Sequence, residues 1–405
     1  MTENIPDSQS WLNRYDETFM HNFGKPKCVF ASGKGVELWD VDGKRYTDMF
    51  SGIAVGALGH AHPDVTRAIT KQLETLGHIS NIFASQPQIE LAEKLAALAT
   101  VNTDARASEA NARVYFANSG TEANEAAFKI TRLTGRKKIV AMEGSFHGRT
   151  MGALAITATE KYRKPFEPLP GDVEFVPYGD VDALATAVDD QTAAVVLEPI
   201  QGENGVIVPP EGFLSVAREI SSAHGALLWV DEVQTGIGRC GEWFVSIAEG
   251  ITPDLITVAK GLGNGFPVGA CIAIGEAGQL FTPGSHGSTF SGNPVAAAAG
   301  LAVLDTIERD RLLGRAAEAG RLLSEQLLAL DDPRITEVRG RGLLLGVQFS
   351  AEIASALADG LLSAGWIVNA PRPTVLRLAP PLIVSDAQLV DFVAALAEQL
   401  EVVGK

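Results

Sequence analysis

The sequence predicts an α/β fold, a mostly parallel sheet flanked by helices and joined to a smaller α+β unit. Three observations predict it. From about residue 71 to 305, short apolar runs ending in Gly, Asp or Lys alternate with amphipathic stretches, the pattern of βαβ units. From about residue 306 a long helical pattern gives way to closely spaced strand candidates. Between them, chemistry-bearing residues fall just past the ends of several apolar runs, where open α/β sheets bind ligands. The expected organisation is an N-terminal segment, 1–70, that contributes to the small unit, a large unit, 71–305, and a C-terminal small unit, 306–405.

The first segment carries a hairpin pattern: VELWD, a turn at Val41-Asp42-Gly43-Lys44, then RYTDM. The apolar runs of the large unit are RVYFA (113–117), KIVAM (138–142), VEFVPY (173–178), AAVVL (193–197), ALLWV (226–230) and LITVA (255–259). After Gly120, Ala123, Ala127, Ile130 and Leu133 keep helical spacing, Glu125 and Lys129 pair at i,i+4, and Gly135 stops the helix. In the last unit a helix runs through RLLGRAAEAGRLLSEQLLAL, strands are expected in LLLGVQF, WIVNA and TVLRL, and Ser385 with Gln388 reads as a capping box opening the final helix.

Composition narrows the function classes. The chain has 405 residues, 46% hydrophobic and 20% charged, which excludes collagen-like and largely disordered chains. Its formal net charge of −16 disfavours nucleic acid and anionic membranes as partners. The three cysteines are far apart and form no CxxC pair, so neither a disulfide framework nor a zinc site is expected. His60 and His62 flank Ala61 without an HExxH pattern, and no metal site is expected there. The N-terminal stretch is polar and acidic, unlike a signal peptide, and no apolar run approaches ~18 residues. A cytoplasmic location is the expectation.

Four polar groups follow strand candidates: Asn118-Ser119-Gly120-Thr121 after RVYFA, Glu198 after AAVVL, Asp231 and Glu232 after ALLWV, and Lys260 after LITVA. In a parallel sheet those ends share one edge. Ser119-Gly120-Thr121 at a helix start suits an anion, and taken alone it equally suits an ordinary N-cap. Lys260 precedes Gly261, Gly263 and Gly265, which permit close backbone approach, and a desolvated lysine forms Schiff bases readily. Asp231, one strand away, suits a pyridinium nitrogen. In GSFHGRT, Phe146 can stack on a flat ring and Arg149 can grip a carboxylate, though a core-edge Phe and a surface Arg would read the same. Gly236-Ile-Gly-Arg-Cys-Gly241 matches GxGxxG, but Asp231 to Thr235 separate it from the strand, which argues against a dinucleotide site.

Together GVELWDVDGKRYTDM, GHAHP, NSGTEANEAAFKITR, GSFHGRT, EPIQGE, WVDEVQTGIGR, TVAKGLGNGFPVGA, HGSTFSGNP and LRLAPPL carry a specific resemblance over roughly residues 20–400. The chain resembles the class III, pyridoxal phosphate-dependent aminotransferases. Within them it is most similar to the branch acting on N2-acetylornithine, with ornithine and 4-aminobutyrate enzymes close by. The resemblance implies fold type I, with a seven-stranded large domain, and a homodimer with both sites at the interface. It implies pyridoxal 5'-phosphate held covalently by Lys260, with Asp231 on the pyridine nitrogen. Ser119, Gly120 and Thr121 would hold the phosphate, Phe146 and Val233 the ring faces, and Gln234 the ring oxygen. Thr289 would reach the phosphate bound by the neighbouring subunit, and Ser288 the substrate.

The resemblance further implies that Arg377 takes the α-carboxylate of glutamate and that Arg149 takes the far carboxylate of 2-oxoglutarate or the α-carboxylate of acetylornithine. Glu203 would pair with Arg377 when the ω-amine enters and swing away for glutamate. The implied reaction gives N-acetylglutamate 5-semialdehyde and glutamate, in arginine biosynthesis, with succinyl-diaminopimelate as a related donor. The alternatives are another ω-aminotransferase, a pyridoxal phosphate mutase or decarboxylase of similar fold, and a nicotinamide oxidoreductase. Phe23, Asn204 and Cys240 depart from the usual tyrosine, glycine and threonine of the family pattern.

Overall fold

The hairpin forms where Asp42-Gly43 places it. Strands β1 (Phe30–Lys34), β2 (Glu37–Asp40) and β3 (Arg45–Asp48) pair in antiparallel order. Gly43 turns with φ 85°, and Asp40 Oδ1 accepts from the amides of Asp42 and Lys44 at 3.0 and 2.8 Å. The computed structural model describes residues 7–101 and 112–403, so the first six residues of the polar N-terminal stretch lie outside the described residues. A helix over Ser8–Thr18, capped by Asp7, precedes the hairpin.

Each of the six apolar runs becomes a strand: β4 (Arg113–Ala117), β5 (Lys138–Met142), β6 (Asp172–Val176), β7 (Thr192–Leu197), β8 (Leu227–Asp231) and β9 (Leu255–Val258). β6 ends at Val176, two residues before the expected end, because Pro177 has no N–H to donate to a ladder. A seventh strand, β10 (Gly269–Ala273), was not legible as an apolar run: GACIA is too small-sided to stand out, yet every residue of it is buried.

The strand order is β4-β10-β9-β8-β7-β5-β6. Pairing is parallel except at β10, which runs antiparallel to both β4 and β9. Two reversals leave β4 pointing the same way as β9, so the carboxyl ends of β4, β7, β8 and β9 share one edge. Both faces are covered, as a parallel sheet requires. Ile139, Ala141, Val196 and Trp229 pack with Ala126, Ala127 and Ile130 of the helix Gly120–Leu133. The alternate residues Val140, Met142, Val195 and Leu228 pack with Leu184, Phe213 and Ala217 from helices on the other face.

The C-terminal part adds β11 (Ile335–Arg341), β12 (Leu344–Phe349), β13 (Trp366–Ile367), β14 (Asn369–Arg372) and β15 (Val375–Leu378). One sheet runs β11-β12-β15-β14, while β13 leaves it and pairs parallel with β3 of the hairpin. Backbone bonds extend the union: Ala379 N donates to Met49 O at 2.8 Å and Leu382 N to Ala57 O at 2.7 Å. His60, beside Pro63's helix, bonds Asp48 through Nε2 at 2.8 Å and so pins the hairpin to the next segment.

The expected change of pattern near 305 falls inside a helix, Pro294–Arg309, started by Asn293, whose Oδ1 accepts from Val295 N and Ala296 N. The chain turns at Arg311, with φ 55°, into the helix Leu312–Leu328. The capping box forms: Ser385 N donates to Gln388 Oε1 at 3.0 Å and Gln388 N to Ser385 Oγ at 3.3 Å, opening the helix Asp386–Val403. The GxGxxG stretch is no helix start, since residues 236–241 form turns with Ile237, Gly238 and Gly241 at positive φ.

Two glycines of the helix Leu312–Leu328 test this packing. A Cβ on Gly320 would stand 1.9 Å from Gly342 O, whereas one on Gly314 would meet open space. Gly320→Ala is expected to lower the unfolding free energy by about 2 kcal/mol or more. Gly314→Ala is expected to raise it by about 0.5–1 kcal/mol. Chemical denaturation of both variants beside the parent checks the pair.

Candidate active site

A cavity of about 470 Å³ opens at the shared strand edge, lined by residues that follow β4, β5, β7, β8 and β9. Strand ends gather there because parallel strands expose their last carbonyls, and the helices that follow present free N–H groups, on the same side.

After β4 the chain turns at once into the helix Gly120–Leu133, with Ser119 as N-cap and its Oγ accepting from Glu122 N at 3.3 Å. Gly120 is required by contact: a Cβ there would fall 2.8 Å from Val233 Cγ1. Thr121 Oγ1 lies 2.8 Å from Thr150 Oγ1 and accepts from the amides of Arg149 and Thr150 at 3.2 and 3.3 Å. Gly148, at φ 135°, faces the same hydroxyl, where a Cβ would come within 2.2 Å. The result is a tight helix-start pocket that suits a phosphate.

Asp231 ends β8 and is 3% exposed. Its Oδ2 accepts from Asn124 Nδ2 at 2.8 Å and from His147 Nδ1 at 2.7 Å, and its Oδ1 from Val233 N at 3.0 Å. Burial opposes a charge on His147, but the hydrogen bond and charge of Asp231 outweigh it and raise its pKa. Glu198, after β7, accepts from Phe146 N at 3.0 Å, and burial pushes its carboxyl up to about 7.

Lys260 follows β9 with φ 44°, a conformation a lysine rarely adopts and one that suits a functional site. Burial is the main influence on its ammonium and holds the pKa below the usual lysine range, against the charges of Glu203, Asp231 and Glu198. The turn behind it is docked by Asn264, which accepts from Leu58 N at 2.7 Å and donates to Gly59 O at 3.0 Å.

Arg377 comes from β15 and is 1% exposed. Its Nη1 donates to Glu203 Oε1 at 2.5 Å and Gln234 Oε1 at 3.0 Å, and its Nη2 to Asn369 Oδ1 at 2.9 Å. Burial works against the Glu203 charge, but Arg377 outweighs it and holds that carboxyl below the ordinary glutamate range. Arg149 is exposed on the cavity wall, its guanidinium 3.6 Å from the Tyr162 ring centre and 5.6 Å from that of Phe146.

Of the residues singled out from sequence, Ser119, Gly120, Thr121, Phe146, Arg149, Asp231, Val233, Gln234 and Lys260 line one cavity. Glu203 and Arg377 meet each other and join it through Gln234. Ser288 Oγ accepts from Asn118 Nδ2 at 3.3 Å, at the cavity's edge. Thr289 is exposed and lies outside the cavity lining. Sequence reasoning missed Asn124, which sits in the first helical turns four residues after Gly120, a spacing that faces the same end. It also left His147 and Glu198 without roles.

The donor set fits pyridoxal phosphate: a carboxylate with a fixed orientation, a part-buried amine lining the same cavity and a helix-start pocket too close for any side chain. The family model described as "Aminotransferase class-III" matches residues 19–400. An acetylornithine aminotransferase of Mycobacterium tuberculosis is 55% identical over 401 residues, covering 99% of this chain and 98% of that one. One from Mycolicibacterium smegmatis is 54% identical over 389 residues, covering 96% and 97%. Among solved structures, the ornithine aminotransferase of Toxoplasma gondii, described with pyridoxal phosphate partly occupying its active site, aligns with a TM-score of 0.92 at 29% identity, covering 99% of this chain and 96% of that one. Acetylornithine aminotransferase from Elizabethkingia anophelis aligns at 0.83 and 32% identity, covering 98% and 100%.

Glu198 supplies a pH test. Its folded pKa of about 7 lies above the ordinary glutamate value of 4.5, so the folded state holds an extra proton between the two. Wild-type stability therefore falls as pH rises through that window. Glu198→Gln, which cannot ionise, is expected to gain on wild type between about pH 5 and 7, by on the order of 2 kcal/mol, and to level off above. Urea unfolding of both proteins at several pH values and one protein concentration measures the difference.

Proposed function

The chain belongs to the class III aminotransferases, and from that premise we propose that it transfers the terminal amino group of N2-acetylornithine to 2-oxoglutarate, using pyridoxal 5'-phosphate. The products are N-acetylglutamate 5-semialdehyde and glutamate, as in arginine biosynthesis. The observation that carries this reading is the Glu203–Arg377 pair, joined through Gln234 to the cavity that Lys260 and Arg149 line. One site must accept an amine-bearing end that carries no carboxylate in one half-reaction and an α-carboxylate in the other. A buried arginine that can be neutralised by a neighbouring carboxylate meets both needs.

Lys260 would hold the cofactor covalently and Asp231 would keep its pyridine nitrogen protonated. Gly120 and Thr121, with Ser119, would take the phosphate, Phe146 and Val233 the ring faces, and Gln234 the ring oxygen. When bound, the cofactor supplies an electron sink for charge developing at the donor carbon. The protein's part is positioning and proton movement. Lys260, with its pKa lowered by burial, would take the proton from the amine-bearing carbon as general base and, as general acid, give it to the cofactor carbon that takes up the amino group. Asn124, His147 and the Val233 amide keep Asp231 in place throughout.

For N2-acetylornithine, Glu203 stays on Arg377 and Arg149 grips the α-carboxylate. For 2-oxoglutarate, Glu203 leaves, Arg377 takes the α-carboxylate and Arg149 the far one. Ping-pong kinetics follow from two half-reactions in one site. An N-succinylated diamino acid would suit the same pocket, since acylation at the α-amine is what the donors share. Ornithine is the second reading, favoured by the fold overlap with the Toxoplasma enzyme, although identity there is 29% against 55% for the mycobacterial relative.

The homodimer belongs to the same proposal. Phe19, Met20, Ile82, Phe83 and Phe290 are 57–87% exposed, an apolar set that suits a subunit contact. Exposed Thr289 would then face the neighbour's phosphate. No helix among the described residues is long and apolar enough to cross a membrane. The free cysteines, Cys28, Cys240 and Cys271, suit the cytoplasm.

The purified protein loaded with cofactor is expected to show a visible absorbance band that bleaches faster with N2-acetylornithine than with ornithine, 4-aminobutyrate or succinyl-diaminopimelate, and returns with 2-oxoglutarate. Faster bleaching by another amine would replace the donor; no band would remove the cofactor. Lys260→Ala is expected to slow the half-reaction by about 10²–10⁴-fold or more, read by stopped-flow absorbance.

A further inference from the structure

We propose that Asn204 is a positioning residue for substrate selection, holding the Glu203 turn so that Glu203 stays on Arg377. The inference rests on the assignment of Arg377 to the α-carboxylate. Asn204 Oδ1 accepts from Arg372 Nη2 at 2.5 Å. Arg372 lies on β14, the strand that also carries Asn369, whose Oδ1 accepts from Arg377 Nη2 at 2.9 Å. Arg377 in turn holds Glu203 at 2.5 Å, next to Asn204 in sequence. The bonds therefore close a ring: Glu203, Arg377, Asn369, β14, Arg372, Asn204 and back to Glu203.

Other bonds anchor the turn outside the ring. Asn204 Nδ2 donates to Gln201 Oε1 at 2.8 Å, and Gln201 Nε2 to Glu143 O at 2.8 Å, tying the turn to the end of β5. Beyond Glu203, Arg339 Nε donates to the carbonyls of Gly205 and Val206, both at 3.1 Å. The turn that carries Glu203 is thus held on both flanks, and withdrawal of Glu203 from Arg377 pulls on it. Retreat of the backbone would break the Asn204–Arg372 bond. A glycine at this position, as the family pattern usually has, offers no such bond. The ring adds to the cost of freeing Arg377 for a carboxylate while leaving the paired state, which N2-acetylornithine uses, undisturbed.

A hydrogen bond of ordinary net strength corresponds to about fivefold in an equilibrium constant. Asn204→Ala and Arg372→Ala are each expected to tighten binding of glutarate, a non-reacting dicarboxylate, by about three- to tenfold in calorimetry of the cofactor-loaded protein. The KM for 2-oxoglutarate should fall in step and that for N2-acetylornithine should not. The double variant should do no more than either single one. Arg372 is exposed, so its variant keeps the test open if Asn204→Ala melts early. Unchanged or weaker glutarate binding in Arg372→Ala would overturn the proposal. Tighter glutarate binding in a protein whose band ignores N2-acetylornithine would uphold it while removing the donor assignment.

Discussion

A charge cannot be buried unless something compensates it, and the compensation of Asp231 organises the site. Its carboxylate is met by Asn124 from the helix after β4, by His147 from the loop after β5 and by the amide of Val233 in its own loop. Three segments far apart in sequence are thus drawn to one point. Every other feature of the cavity is set relative to it. Gly120 lies against Val233, so the helix-start pocket and the Asp231 loop are in van der Waals register. Lys260 lines the same cavity, where burial and the nearby carboxylates act on it in opposite directions.

The second organising element is a pair of opposite charges that no single strand supplies. Arg377 belongs to the C-terminal sheet and Glu203 to a loop of the large sheet. Their meeting depends on how the two sheets are joined: β13 lies on β3, and the LAPPL segment bonds to Met49 and Ala57. Buried Arg239 adds to that join, with its Nη1 donating to Leu343 O at 3.1 Å and also to Pro380 O. Pro380 is three residues from Arg377, so this contact sets where the Arg377 strand ends relative to the loop that carries Gln234. These bonds fix where Arg377 stands between the two sheets, and electrostatic positioning of a substrate requires such a fixed charge.

Much of this was legible in the chain. Apolar runs of five or six residues located six strands because a sheet covered on both faces needs continuous hydrophobic stretches. β10 escaped because Gly269, Ala270 and Ala273 give it little side-chain bulk. That smallness has a cause: a Cβ on Gly269 would stand 2.5 Å from Ser119 O, so the strand must be thin where it passes the phosphate pocket. β11 escaped for the opposite reason, since Glu337, Arg339 and Arg341 make it read as a charged surface stretch. The change of pattern near residue 305 was visible, yet the helix Pro294–Arg309 runs straight across it, because its apolar residues serve the same core as the segments before and after.

By itself the sequence determined which residue types follow which strands, and hence that a lysine, an aspartate, a glutamate and a helix start would share one edge. Local pattern suffices for that, because strand direction and the position of a strand's last residue follow from the chain alone. Only the tertiary structure decided which donors meet Asp231, that buried Glu198 accepts from the Phe146 amide, and that Asn204 reaches Arg372. Apart from the Val233 amide, two residues from Asp231, those contacts join residues 52 to 168 positions apart. Their energies depend on burial and on distances of a few ångströms, which no spacing along the chain encodes.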